Sequence, residues 1–147
     1  MSNEPSLIGT GNFVDDRGNL LFLNELGDFE VKRLYIVENH SQGFIRAWHG
    51  HEFESKLFFV IQGAIKVGAV KLDDFTTPSR NQAVSEYVLS SNGSRALVIP
   101  QGYANGFKTL THDAKLLILS DKTLLESKND DYRFEFDHWD IWKSVYR

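Results

Sequence analysis

The chain has 147 residues, no cysteine and a formal net charge of −4, with hydrophobic residues at 41% and charged residues at 24%. That size and balance describe one globular domain, taken as residues 1–147, with enough apolar material for a substantial core. The composition excludes disulfide and thiolate chemistry, and the net acidity argues against a broad nucleic-acid surface while allowing a local basic pocket. The chain opens without the basic-then-apolar pattern of a leader, and no apolar run approaches the roughly 20 residues of a bilayer span. A cytoplasmic protein with neither membrane nor nucleic-acid partners is expected.

Short apolar or alternating runs recur along the chain, at 20–23, 31–37, 44–48, 57–61, 64–70, 84–89, 96–99 and 116–119. Turn formers separate them, among them Asp16-Arg17-Gly18, Gln62-Gly63, Asp73-Asp74, Ser91-Asn92-Gly93 and Pro100-Gln101-Gly102. Many short strands at this spacing predict an all-β antiparallel sandwich or barrel, best read as one jelly roll. The eleven Phe, five Tyr and three Trp suit such a structure. No interior segment sustains a helical period; only the tail, 134–142, predicts a short helix.

The segment from Gly43 to Gly63 carries the most chemistry. His49 and His51 are one residue apart, so strand alternation puts both on one face. Lys56 follows and heads the apolar run 57–61. A lysine on such a strand is either a functional group or an edge charge that blocks aggregation; if it points inward it needs a partner, because burying an uncompensated charge is costly. A histidine has a pKa near neutrality, so His49 is a candidate general base, with a packed strand histidine as the plain alternative. Arg46 has the planar donor geometry that suits phosphate. Arg17, beside Asp15 and Asp16, reads as a phosphate contact or a turn salt bridge, and Tyr103 and Asn105 as pocket lining or turn residues. Trp139, Trp142 and Tyr146 read as a packing patch or dimer surface.

The spacing from Gly43 through His49, His51 and Lys56 to Gly63 resembles the first signature of the cupin superfamily, with Lys56 in the glutamate position. Pro100-Gln101-Gly102, which begins 37 residues after Gly63, resembles the second signature, with Asn105 in its histidine position. Cupin metal sites use the four positions held here by His49, His51, Lys56 and Asn105. A protonated lysine repels a divalent cation, so a metal-independent protein without cofactor is expected.

Within the cupins the chain resembles the RmlC-like nucleotide-sugar enzymes, above all the dTDP-4-dehydrorhamnose 3,5-epimerases. Asp15-Asp16-Arg17-Gly18 is similar to their Asp-x-Arg-Gly motif, which helps hold the nucleotide diphosphate. Arg46-Ala47-Trp48-His49 is similar to their Arg-Gly-x-His, Lys56-Leu57 to their Lys-Leu, and the run from Pro100 to Phe107 to their Pro-x-Gly-(Phe/Tyr)-Ala-His-Gly-Phe. The doublet His49-Gly50-His51 also resembles the WxcM-like 3,4-ketoisomerases of dTDP-4-keto-6-deoxyglucose. Two departures stand out. The epimerases' catalytic tyrosine is replaced in the stretch from Leu117 to Asp121, and their base-binding aromatic pair is missing near Leu124-Leu125.

The resemblance implies a jelly-roll β-barrel acting on a dTDP-linked 4-keto-6-deoxy sugar, as a homodimer with exchanged N-terminal strands. Both reactions begin by removing a proton next to a ketone, which needs a base and a cation for the developing enolate. His49 is expected to be the base and Lys56 the cation, the two facing one cavity from adjacent antiparallel strands. Asp137 is expected to orient the imidazole, and Arg17, Arg46, His51, Tyr103 and Asn105 to bind substrate. Without the tyrosine, epimerisation at C3 alone is the expected reaction, with 3,4-ketoisomerisation as the alternative. A non-catalytic carbohydrate-binding cupin and a metal-dependent cupin using His49 and His51 are the rivals of other classes.

Overall fold

The computed structural model describes residues 2–147. Its elements run in the order β1 (Ser6–Ile8), β2 (Gly11–Asp15), β3 (Gly18–Phe22), β4 (Arg33–Val37), β5 (Ile45–Gly50), β6 (Lys56–Gln62), β7 (Ala64–Lys71), β8 (Ser85–Ser90), β9 (Ala96–Ile99), β10 (Tyr103–Thr109), β11 (Lys115–Ser120), α1 (Leu124–Lys128) and β12 (Tyr132–Arg133). One sheet has the order β1-β9-β6-β11-β4 and the other β12-β5-β10-β7-β8, while β2 and β3 form a separate hairpin. All pairings are antiparallel. This is the all-β, jelly-roll-like architecture expected, with two facing sheets in place of a closed barrel.

Period-two alternation sorts each strand between two environments. Phe58 and Val60 of β6 and Leu116 and Ile118 of β11 meet Val67, Leu89 and Phe107 of the other sheet in one core. Their neighbours Leu57, Phe59, Leu117 and Leu119 point to the outer face, where Leu21, Leu23, Leu26 and Phe29 cover them. The run 57–61 is continuously apolar because both faces of β6 are covered, the pattern usual for doubly buried strands. Lys56 shares the parity of Phe58 and Val60 and therefore points inward.

The outer face of the second sheet is covered by the C-terminal tail. Trp48, Val70, Leu72 and Ala104 pack with Phe134, Trp139 and Trp142, and the Trp48 ring lies 5.4 Å from Trp139 and 5.2 Å from Trp142. The expected helix at 134–142 does not form, because the backbone groups it would need are already engaged elsewhere. Phe134 exchanges backbone hydrogen bonds with Trp48, and the Phe136 carbonyl accepts from the indole nitrogens of Trp48 and Trp142. Among the described residues the one helical turn is α1, whose Thr123 and Glu126 form a capping box. A second expectation changes with the topology: His49 and Lys56 lie on consecutive strands, but β5 and β6 belong to different sheets.

Candidate active site

A β-bulge sets the geometry of the site. In the β5–β10 pairing Asn105 opposes His49 and Gly106 opposes Ala47, leaving Trp48 as an extra residue. On a regular strand Arg46 and His49, three positions apart, would point to opposite faces. The extra residue shifts the phase, so Arg46 and His49 both line one cavity, while Ala47 and Trp48 both join the outer aromatic cluster. Gly106 permits this close approach, since a Cβ there would lie 2.5 Å from the Ala47 methyl.

The cavity has a volume of 330 Å³ and opens between the sheets where the apolar core ends. His49, His51, Arg46 and Asn105 line one wall; Arg33, Tyr35 and Lys56 come from the facing sheet; and Lys128, Asp131 and Arg133 close the rim. On β4 the residues facing the cavity are Arg33, Tyr35 and Val37, and the exposed ones are Leu34 and Ile36. That inversion of the usual pattern places two polar side chains inside and two apolar ones outside.

His51 is buried, and its Nδ1 lies 2.7 Å from the Asp130 carbonyl. A carbonyl only accepts, so Nδ1 carries the proton and donates it there. Nε2 is then the basic nitrogen of the neutral ring, and it is buried with no hydrogen-bond partner among the described residues. Burial and the nearby Lys56 charge lower the His51 pKa below its ordinary value, opposed by the Asp130 bond and Glu54. His49 is also shifted down, first by burial and then by Lys56, with Asp131 opposing; its Nδ1 lies 3.8 Å from an Asp131 carboxylate oxygen. Both imidazoles are thus held in the neutral form that accepts a proton.

Lys56 is buried, and its Nζ stands 5.8 Å from the centre of the Tyr35 ring, which the Arg33 guanidinium approaches at 5.2 Å. Among the described residues this ammonium has no hydrogen-bond or ion-pair partner, so its charge is available to a ligand.

Of the residues named from sequence, the structure brings His49, His51, Lys56, Arg46 and Asn105 together. Arg17 is elsewhere, 83% exposed on the β2–β3 hairpin and bound to Asp15 at 2.5 Å. Tyr103 packs in the inter-sheet core, where burial raises its pKa. Asp137 is exposed and does not line the cavity; Asp131 is the carboxylate beside His49. Sequence reasoning missed Arg33, Tyr35, Lys128, Asp131 and Arg133. For the β4 pair the signal was the alternation itself, polar residues at 33 and 35 against apolar ones at 34 and 36. Among the described residues no group of three or more metal-ligating side chains comes together. A wider groove of 770 Å³ on the other side of β5 is lined by Pro78, Arg80, Arg133, Phe134, Glu135, Phe136 and His138, and there the His138 Nε2 is already engaged by the Pro78 carbonyl at 2.9 Å.

Three comparisons bear on this site. The family model described as "FdtA: WxcM-like, C-terminal" matches residues 3–143. No curated protein matches the chain. The sugar 3,4-ketoisomerase QdtA from Thermoanaerobacterium thermosaccharolyticum, solved in complex with TDP, is similar in structure with a TM-score of 0.71 and 19% identity, over 94% of this chain and 93% of that one. The dTDP-4-dehydrorhamnose 3,5-epimerase of Bacillus anthracis, solved with TDP and PPi bound, gives a TM-score of 0.72 and 24% identity over 97% of this chain and 84% of that one. The WlaRB TDP-quinovose 3,4-ketoisomerase of Campylobacter jejuni gives 0.67 and 19%, over 91% and 95%. The fold is therefore the one shared by RmlC-like epimerases and these ketoisomerases. With the family model spanning nearly all of the sequence, the chain belongs to the WxcM-like, C-terminal (FdtA) family.

Proposed function

We propose that this protein is a nucleotide-sugar isomerase that removes a proton next to the ketone of a 4-keto-6-deoxy sugar carried on a nucleoside diphosphate, with dTDP as the carrier. The observation that supports it is the cavity itself: two neutral histidines on one wall face an unpaired lysine on the other, among Arg33, Arg46 and Arg133, in a protein of net charge −4. Arg33, Arg46, Lys128 and Arg133 give that cavity the charge a diphosphate requires. The similar ketoisomerase and epimerase structures hold TDP or, in a histidine-to-asparagine mutant of QdtA, TDP-4-keto-6-deoxyglucose.

The geometry favours His51 over His49 as the base, because its Nε2 is free and its Nδ1 is fixed. In the proposed step Nε2 takes the C3 proton, the electron pair moves into an enediolate, and Lys56 balances the charge growing on O4. Returning the proton from His51 to C4 on the same wall, while His49 takes the O3 proton and passes it to O4, yields the 3-keto sugar and leaves both histidines neutral. Because both histidines come from one wall, 3,4-ketoisomerisation is our first reading. Epimerisation at C3 is the second, favoured by Tyr35 on the opposite sheet, whose hydroxyl would serve the other face. Asn105 and Arg46 are assigned to substrate binding, and a cytoplasmic location fits such a substrate. Incubation with dTDP-4-keto-6-deoxyglucose followed by proton NMR distinguishes the outcomes. A ketone at C3 supports the first reading and an inverted C3 the second; unchanged substrate contradicts both.

A homodimer with exchanged N-terminal strands remains part of the proposal. The β2–β3 hairpin pairs with neither main sheet and exposes Phe13, Val14 and Leu20, and an isolated hairpin is marginal in water. Sedimentation equilibrium should give twice the chain mass of 16.8 kDa; a monomer at micromolar concentration contradicts the dimer.

A further inference from the structure

We propose that Glu54 is a positioning residue for the His51 base: it fixes the ring's surroundings and supplies the counter-charge for the imidazolium formed when Nε2 takes a proton. The inference rests on the reading of His51 given above. Glu54 is a buried carboxylate at 1% exposure, a placement that a carboxylate tolerates only with full compensation. Its partners account for both oxygens. Oε2 accepts from Arg33 Nη2 at 2.9 Å and from the Ser120 hydroxyl at 2.5 Å, and Oε1 accepts from the Ser127 hydroxyl at 2.7 Å. Oε1 also lies 3.5 Å from His51 Nδ1, on the side of the ring away from the free Nε2.

The loop that carries Glu54 is equally fixed. The Asp130 carboxylate accepts from the backbone N–H groups of Glu52, Phe53 and Glu54, while the backbone carbonyl of Asp130 accepts from His51 Nδ1. One residue thus holds both the ring and the segment that brings the counter-charge to it. The Arg33 guanidinium is tied to the same assembly through Glu54 and Ser127, so Glu54 links the base to a cation of the facing sheet.

The charges around His51 come from several elements. Lys56 on β6, Arg33 on β4, Arg133 on β12 and Lys128 on α1 are positive; Glu54, Asp130 and Asp131 are negative, and His49 is the neighbouring titratable ring. Burial opposes ionisation of Glu54, yet Lys56 and the two serine hydroxyls hold its pKa below the ordinary value. Glu54 is therefore held as a carboxylate at neutral pH. Ring protonation at Nε2 makes a cation whose Nδ1 side already faces an anion, which lowers the energy of the intermediate without a carboxylate touching substrate.

The test is Glu54→Gln, read first without substrate by following the His51 ring signals by NMR as pH is varied. The expected result is a His51 pKa lower than in the unmodified protein by about one unit or more, the size usual for losing an opposite charge at this range. On dTDP-4-keto-6-deoxyglucose, kcat should fall about 10- to 100-fold with little change in KM, as for removal of a residue that orients another. Glu54→Asp keeps the charge but withdraws it, so the His51 pKa should fall by less and most of kcat should return. If Glu54→Gln fails to fold, the fall in Glu54→Asp is the deciding measurement. An unchanged His51 pKa in the folded variant overturns the proposal whatever the activity. An unmodified protein inactive on that sugar defeats the functional reading instead, and the titration still decides the role of Glu54.

Discussion

Lys56 is the residue on which the electrostatics of the cavity turn. It occupies an inward position on a strand whose other inward residues are Phe58 and Val60, and its charge depresses the pKa of His49, His51 and Glu54 alike. An ammonium without a direct partner costs stability, and it is retained where the developing enolate would need it. Lys56→Met keeps the shape of the stem and removes the charge. The account predicts a kcat lower by about 10²–10³-fold, the loss seen when one stabilising group is removed from an oxyanion, together with a rise in the His51 pKa. A variant with near-normal kcat would show that the charge has no part in the chemistry.

At the scale of elements, the bulge in β5 is what makes Arg46 and His49 neighbours. It depends on the close approach of β10 at Gly106 and on the tail that receives Trp48. Gly106→Ala puts a methyl 2.5 Å from Ala47 Cβ and 3.1 Å from its Cα, where backbone must move. The expected cost is about 1–3 kcal/mol in a denaturant titration, the usual range for overpacking, with a larger proportional loss of kcat because the two cavity side chains lose their common face. A folded variant with full activity would contradict the role given to the bulge. This is also where sequence reading stops. Period-two alternation made the His49–His51 pair and most strands legible, and turn residues marked their ends. The bulge cannot be read from alternation, since an extra residue is invisible without the partner strand. The tail helix failed for a related reason: its carbonyls and amides are taken by β5 and by indole nitrogens from distant positions. Asp131 was missed for the same cause, because it reaches His49 only once β12 has paired with β5.

Across the whole molecule, the cavity makes stability depend on pH in one direction. His49 and His51 are held below the ordinary 6.5 in the folded chain, so the unfolded chain binds protons that the folded one refuses. Stability is full above pH 6.5 and declines as pH falls below it. Glu54, held below its ordinary 4.5, adds a further loss under that pH. The Tm of the unmodified protein should therefore fall between pH 7 and pH 5, by the linkage relation, and His51→Asn should flatten part of that fall. A Tm that rises on acidification through the same interval would contradict the buried neutral histidines. No helix among the described residues is long and apolar enough to cross a membrane, and the β2–β3 hairpin and β4 expose Phe13, Val14, Leu20, Leu34 and Ile36.

The central claim is proton abstraction next to a ketone by a histidine of this cavity, and isotope exchange tests it most directly. In heavy water the unmodified protein should exchange the C3 proton of dTDP-4-keto-6-deoxyglucose for deuterium, seen as loss of the C3 signal in the proton spectrum. His51→Asn should slow that exchange by about 10²–10⁴-fold, the span of general-base catalysis. Exchange that persists unchanged in His51→Asn would remove His51 from the mechanism, and the absence of exchange in the unmodified protein would contradict the account as a whole.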